Sequence, residues 1–382
     1  MISQTCLAYL LQLETPKSVN YADLPLMEYA AKNWIFHAQS SHDDGSQECS
    51  LLELMMKLLT PDNLAFVNWV EIYDPQNVSE HLPPLYYTCE AGLIKVTHSL
   101  LKNGVDVNTW MKRNYGHVLQ VASSKGHEAI AKLLIEHGAD VNAQGGLFGN
   151  ALQTAVFWGH EAIAKVLIGN GADVNRQGGH YGNALQAALF LGYEEIAKLL
   201  IDNGADMSVQ DRYYGNTLQA ASYKGHEAIA KLLIENGADV NAQGGHYGNA
   251  LQAALLSGHE AITKLLIKNG ADVNAQGHYG SALQAALFLG YEEIAKLLIE
   301  NGADVNAQEG YYENTLQAAS YKGHEAIAKL LIENGADVNV QAEPYGSALQ
   351  AAVLGGHEAI ANILIENGAD VNVQGGHYGN TL

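Results

Sequence analysis

Apolar residues recur along this chain in one short pattern. In Gly225-His226-Glu227-Ala228-Ile229-Ala230-Lys231-Leu232-Leu233-Ile234 the aliphatic positions follow helical spacing, and charged residues fill the opposite side. The leading glycine returns at Gly126, Gly159, Gly192, Gly225, Gly258, Gly290, Gly323 and Gly356, in steps of 33 residues with a single step of 32 before Gly290. A fixed period of this length predicts a solenoid, in which each unit leans on its neighbours instead of folding around its own core. The functional question therefore concerns a surface more than an active site.

One unit shows the expected elements. Leu218, Ala220 and Ala221 set a short first helix with a small-residue face, and Gly225 breaks it. Ala228, Ile229, Leu232, Leu233 and Ile234 then predict a second, amphipathic helix, with Ile229, Leu232 and Leu233 buried between layers. Asn236-Gly237 ends it, the glycine suiting the left-handed cap, and Asp239 to Tyr247 reads as a Gly-rich hairpin-like loop. Aligning on the first-helix leucine gives Leu85, Leu119, Leu152, Leu185, Leu218, Leu251, Leu283, Leu316 and Leu349, which are nine units, the first two divergent. A tenth stops at Leu382 in mid-motif, so the array reads as truncated, with a frayed stub from Val371 to Leu382.

The run GHEAIAKLLIENGADVNAQ resembles the second half of the ankyrin repeat, and the short helix before it is similar to that family's TPLHxAA segment. The resemblance covers roughly residues 83–382. It implies an all-α ankyrin-repeat solenoid over 81–382, behind a helical segment at 1–80. There is a departure: the place of Thr-Pro-Leu-His is taken by Asn216-Thr217-Leu218-Gln219, Asn249-Ala250-Leu251-Gln252 or Ser281-Ala282-Leu283-Gln284. Asn and Ser still cap a helix, and Gln still donates and accepts, so the fold is expected to survive.

Helical patches in the leading segment fall at Ile2–Leu13, Leu26–Ala38, Ser50–Leu59 and Leu64–Ile72, with Pro25 and Asp62 at expected helix starts and Pro61 after an expected helix end. The stretch Leu24-Pro25-Leu26-Met27-Glu28-Tyr29-Ala30-Ala31-Lys32-Asn33-Trp34 resembles the segment that follows the NACHT nucleotide-binding module of filamentous-fungal NLR-like receptors, and Ile2 to Leu10 is similar to its lead-in. The plainer alternative is a generic helical cap over the first repeat. No G-x-x-x-x-G-K-[ST] phosphate cradle occurs, so no nucleotide site is carried over.

Composition narrows the partners. The net charge of −21 is largely repeat arithmetic, since Glu227, Lys231, Glu235 and Asp239 leave each such unit at −2. An acidic surface repels phosphate backbones and argues against nucleic acid. The three cysteines, Cys6, Cys49 and Cys89, form no disulfide or metal pattern, which fits a cytoplasmic setting. No signal peptide or long apolar run is present in the sequence, so no membrane partner is expected.

Two chemical motifs fail on inspection. His-Glu pairs such as His226-Glu227 and His324-Glu325 lack the second histidine four residues on, and Tyr193 and Tyr291 replace the first in two units. These histidines are expected to be structural residues of the turn. Asp239-Val240-Asn241 half-matches a calcium loop, but the twelfth position is Ala250, so Asp239 and Asn241 are expected to bond the turn backbone. No catalytic constellation, cofactor or small-molecule substrate is expected.

What varies between repeats points to recognition. Five and six residues after the reference leucine stand Phe157-Trp158, Phe190-Leu191, Tyr223-Lys224, Leu256-Ser257, Phe288-Leu289, Tyr321-Lys322 and Leu354-Gly355. The hairpin tips add His180-Tyr181, Tyr213-Tyr214, His246-Tyr247, His278-Tyr279 and Tyr311-Tyr312. In ankyrin-type units the first set corresponds to the solvent-facing end of the inner helix, on the concave side. Rows of exposed aromatics suit protein recognition, although Phe157 and Phe190 are also sized for interlayer core. Three units led by Leu185, Leu218 and Leu251 recur at Leu283, Leu316 and Leu349, a shift of 98, so the array grew by block duplication. The expectation is a non-catalytic scaffold for a protein partner, as the recognition part of an NLR-like receptor or, alternatively, as a stand-alone adaptor tethering an effector enzyme.

Overall fold

A computed structural model describes residues 2–14, 26–40, 45–60, 63–78, 82–111, 116–210, 215–277, 280–307, 314–342 and 345–372. These contain 22 α-helices and one two-stranded antiparallel pair, β1 (Trp110–Met111) with β2 (Gly116–His117). The all-α architecture of repeated helix–turn–helix units is as the period predicts. The chain divides into two compact units, residues 1–187 and 188–382.

The first unit opens with α1 (Ile2–Leu10), α2 (Met27–Ser40), α3 (Gly45–Leu58) and α4 (Leu64–Tyr73), matching the four helical patches. Asn63 caps α4, its side chain accepting the Ala65 amide at 2.9 Å; Pro25, Pro61 and Asp62 lie outside the described residues. The core of this part is aromatic. Trp34 and Trp69 are fully buried and meet edge-on at 5.8 Å, and Trp69 donates its indole N–H to the Ala31 carbonyl at 3.0 Å. Trp69 also meets Tyr87, on the helix Pro84–Glu90, at 5.1 Å, which fastens α4 to that helix.

The second unit shows the repeat in its regular form. Asn216 caps the helix Thr217–Lys224 by accepting the Gln219 amide, while Gln219 Oε1 accepts the Asn216 amide at 2.7 Å, a reciprocal box that satisfies two otherwise orphaned donors. Gly225 closes the helix in the left-handed region, at φ 80°. The second helix, Glu227–Glu235, buries Ile229, Ala230 and Leu233. Leu232 is only half-buried, against expectation. Ile229, Ala230 and Leu233 occupy the centre of the apolar stripe, and Leu232, about 300° round from Ile229, falls on its edge.

Adjacent layers are tied by polar side chains. Gln219 Nε2 donates to the carbonyls of Ala242 and Gly248 in the following loop, both at 3.0 Å, so this glutamine caps its own helix and holds the next hairpin. Gln153 ties its own following loop likewise, through Gly178 and Gly182 at 2.9 and 3.1 Å. This is how the fold survives without the proline and histidine of the TPLH pattern. A second ladder runs through the loop asparagines. Asn241 donates to the Gly270 carbonyl at 3.0 Å and accepts the Asp272 amide at 2.7 Å, and Asn274 and Asn306 repeat the arrangement. Asp239 accepts the Asn241 amide at 2.9 Å, the turn role expected of it.

The turn histidines are interlayer packing residues. His259 Nε2 lies 3.0 Å from the Tyr223 carbonyl, and His357 Nε2 lies 3.1 Å from that of Tyr321. Each ring sits on the leading glycine of the preceding unit: a methyl group built on Gly225 would stand 2.5 Å from His259, and one on Gly323 would stand 2.5 Å from His357. The glycine is therefore required twice, for its backbone conformation and for the ring that covers it. The expected stub from Val371 lies almost wholly outside the described residues, which end at Asn372.

Candidate functional site

The varying positions sit where the first helix ends and the chain turns towards the second. In the first unit, Phe157 closes the helix Ala151–Phe157 and Trp158 is its C-cap. Phe157 is half-buried and stacks on Phe148 of the preceding hairpin, ring centroids 4.3 Å apart, with Tyr181 of the following hairpin on its other side at 5.8 Å. Trp158 stands edge-on to Phe157 at 5.1 Å and remains 51% exposed. His180 is exposed at the hairpin tip, perpendicular to the half-buried Tyr181.

In the second unit the same plan recurs with different residues. Tyr223 stacks on Tyr247 at 4.6 Å and Tyr321 on Tyr345 at 4.4 Å, both pairs with interplanar angles of 22°. Tyr247 is therefore not an exposed tip, as the sequence suggested. It is buried, at 8% exposure, because its ring lies flat on the tyrosine that ends the preceding first helix. His246 beside it is exposed. The ammonium of Lys224 lies 3.9 Å from the centre of the Phe190 ring, and that of Lys322 lies 4.9 Å from the centre of Phe288. Phe190, Leu191, Lys224, Leu289 and Tyr321 are half-buried, whereas Lys322 is exposed and Phe288 is 42% exposed. Tyr213, Tyr214, His278, Tyr279, Tyr311 and Tyr312 lie outside the described residues.

The row is thus less uniformly exposed than expected. At the fifth position Phe157, Tyr223 and Tyr321 stack on hairpin rings while Phe288 is largely exposed, and at the sixth position Trp158 and Lys322 are exposed while Lys224 is half-buried. Phe148 and Tyr345 were missed in the sequence, although the signal was there: each is an aromatic directly before Gly-Asn or Gly-Ser, in register with Tyr181 and Tyr247.

Among the described residues no group of three or more His, Cys, Asp or Glu could hold an ion, and no helix is long and apolar enough to cross a membrane. Burial lowers the pKa of His226 from its usual value, which suits a packing imidazole.

A family model described as ankyrin repeats (3 copies) matches residues 51–145, 85–178, 152–244, 184–277, 218–309 and 282–375. A Monascus ruber protein named "Azaphilone pigments biosynthesis cluster protein L" is 32% identical over 163 residues, or 37% of this chain and 34% of that protein, so the chain spans about a third of that relative's length. The human ASB11 ankyrin repeat domain is 26% identical and superposes with a TM-score of 0.51, covering 58% of this chain and 99% of that one. An ankyrin repeat domain from Acinetobacter baumannii AYE is 30% identical, with a TM-score of 0.47 over 49% of this chain and 98% of its own. With family matches running in register from residue 51 to residue 375, this chain belongs to the ankyrin-repeat family.

Proposed function

We propose that the array is a non-catalytic scaffold that binds a protein partner along the first-helix ends and hairpin tips, and that it is the recognition part of an NLR-like receptor. One observation carries the docking face. Trp158 and Phe288 expose 51% and 42% of their surface at positions the repeats vary, within a frame of Gln, Asn and Gly contacts that the repeats keep. Large aromatics standing in solvent at such positions are the side chains that dominate protein interfaces. The receptor assignment draws on the resemblance of residues 2–38 to a post-NACHT segment. The adaptor alternative uses the same face, and the coding frame upstream of Met1 separates the two: a P-loop module there supports the receptor, and a promoter supports the adaptor.

The face itself is tested by titration with a partner purified from the native host. Trp158→Ala and Phe288→Ala should each weaken binding by roughly 1–3 kcal/mol. Glu227→Ala, on a second helix, should change mainly association rate and salt dependence. Equal losses from Glu227→Ala and from the aromatic variants would move the docking face to the second helices.

A further inference from the structure

Eight of the second helices end on the same dipeptide. Asn103, Asn170, Asn203, Asn236, Asn269, Asn301, Asn334 and Asn367 are each a helix C-cap, and each is followed by glycine. The glycine supplies the left-handed conformation, at φ of 81–88°. It also makes the pair chemically labile. A glycine amide carries no side chain to obstruct attack of its nitrogen on the asparagine Cγ, and all eight asparagines are exposed to water. In that reaction a new N–Cγ bond closes a five-membered imide, the Cγ–Nδ2 bond breaks, and ammonia leaves with the amide proton. Water then opens the imide at either carbonyl, giving aspartate or isoaspartate.

The folded caps keep the reacting groups apart. Each of these glycines donates its N–H to the carbonyl three residues back, at 2.9–3.1 Å, so the nucleophile is engaged. The asparagine ψ angles, 5–21°, turn the glycine nitrogen towards the asparagine's own backbone nitrogen and away from its side chain. In seven of the eight the leaving group is tied as well, Nδ2 donating to the carbonyl four residues back at 2.7–2.9 Å. Asn103 is the exception. Gly104 bonds the Leu101 carbonyl like the rest, at 3.0 Å, but the Asn103 side chain makes no hydrogen bond among the described residues.

We propose that the eight Asn-Gly caps are modification sites for loss of ammonia, gated by the opening of their own repeat, with Asn103 the least guarded and the first to react. The gate lies in the fold, because the glycine bond, the ψ angle and the side-chain bond must all be given up before the ring can close. The product does not rebuild the cap. In place of Asn236 an aspartate sets a carboxylate against the negative end of the helix, where the amide had donated to the Leu232 carbonyl. An isoaspartate adds a carbon to the main chain and shifts the following amides out of register with the helix carbonyls. Either product loosens its unit, and neighbouring units that lean on it open more readily in turn.

The test is mass spectrometry of the full chain after incubation in mildly alkaline, heavy-oxygen water, both native and unfolded in urea, with digestion at acid pH to suppress further reaction. In urea all eight asparagines should convert alike. In the native chain the seven tied asparagines should convert at least about tenfold more slowly than in urea, and Asn103 should run ahead of them by about fivefold, the worth of one hydrogen bond. Ile229→Ala should raise conversion of Asn236 about tenfold while changing Asn334 less. Leu232→Ala, a milder change, should act in the same direction if the Ile229 variant does not fold. Conversion of the tied asparagines at the urea rate in the native chain would overturn the gate. Asn103 reacting no faster than the other seven would overturn its ranking, and Asn236 unmoved by a folded core variant would overturn the dependence on repeat opening.

Discussion

The loop side and the helix-end side of each repeat obey different rules. On the loop side Gln219, Asn241 and Gly225 have equivalents down the array, and their contacts recur almost unchanged: glutamine to two loop carbonyls, asparagine to a carbonyl and an amide, glycine beneath a neighbour's ring. On the helix-end side the residue changes from Phe157 to Tyr223 to Leu256, and from Trp158 to Lys224 to Ser257. The difference is physical. A hydrogen bond across layers fixes donor, acceptor and length at once, and an unmade one leaves a buried polar group orphaned. Stacking of a ring on the next loop needs only a flat apolar surface, which Phe and Tyr supply equally. A frame held by the first kind of contact leaves the second side free to vary without unfolding the repeat.

Core variants test the frame most severely. Ile229→Ala should destabilise by about 2–4 kcal/mol, and hydrogen exchange should rise in the units nearest to it. Leu232→Ala, at the edge of the stripe, should cost about half as much. Equal opening along the entire array would break the nearest-neighbour picture.

Gly225→Ala comes next, at about 2 kcal/mol, since the new methyl meets both an unfavourable backbone conformation and the His259 ring. The same change at Gly237, where nothing lies within 4 Å, should cost less at a similar φ of 85°. Thermal melts of the two variants sharpen the claim that the leading glycine has a second role, and identical losses would remove it.

Gln219→Ala should cost about 1–2 kcal/mol, by opening the capping box and freeing the carbonyls of Ala242 and Gly248 together. Crystal or exchange data should show the following hairpin loosened while the second helix, Glu227–Glu235, stays protected. A loss confined to the cap, with the hairpin unaffected, would show that the interlayer bond contributes nothing.

Much of this was legible in the sequence because the period averages over accidents of any single unit. Helix ends, C-cap glycines and the buried isoleucine each occur many times. The leading helices were legible from their apolar spacing, but not their mutual packing, since no pattern announces that Trp69 donates to Ala31. The candidate site was half legible. Position and variability marked Trp158 and Phe288, whereas the burial of Tyr247 depends on a partner, Tyr223, in the preceding helix. Leu232 was misplaced because a Leu-Leu-Ile run does not say which leucine faces inward.

The central claim is that folding resides in the Gln, Asn and Gly contacts the repeats keep, and binding in the exposed side chains they vary. Its most direct measurement is a paired melt and titration of Trp158→Ala and Phe288→Ala against one partner purified from the native host. The account predicts folded stability changed by less than about 1 kcal/mol, within the small range of surface substitutions, and affinity lowered by roughly 1–3 kcal/mol, about five- to 150-fold, in both variants. A fall in stability as large as that of Ile229→Ala, or unaltered affinity in both, would contradict it.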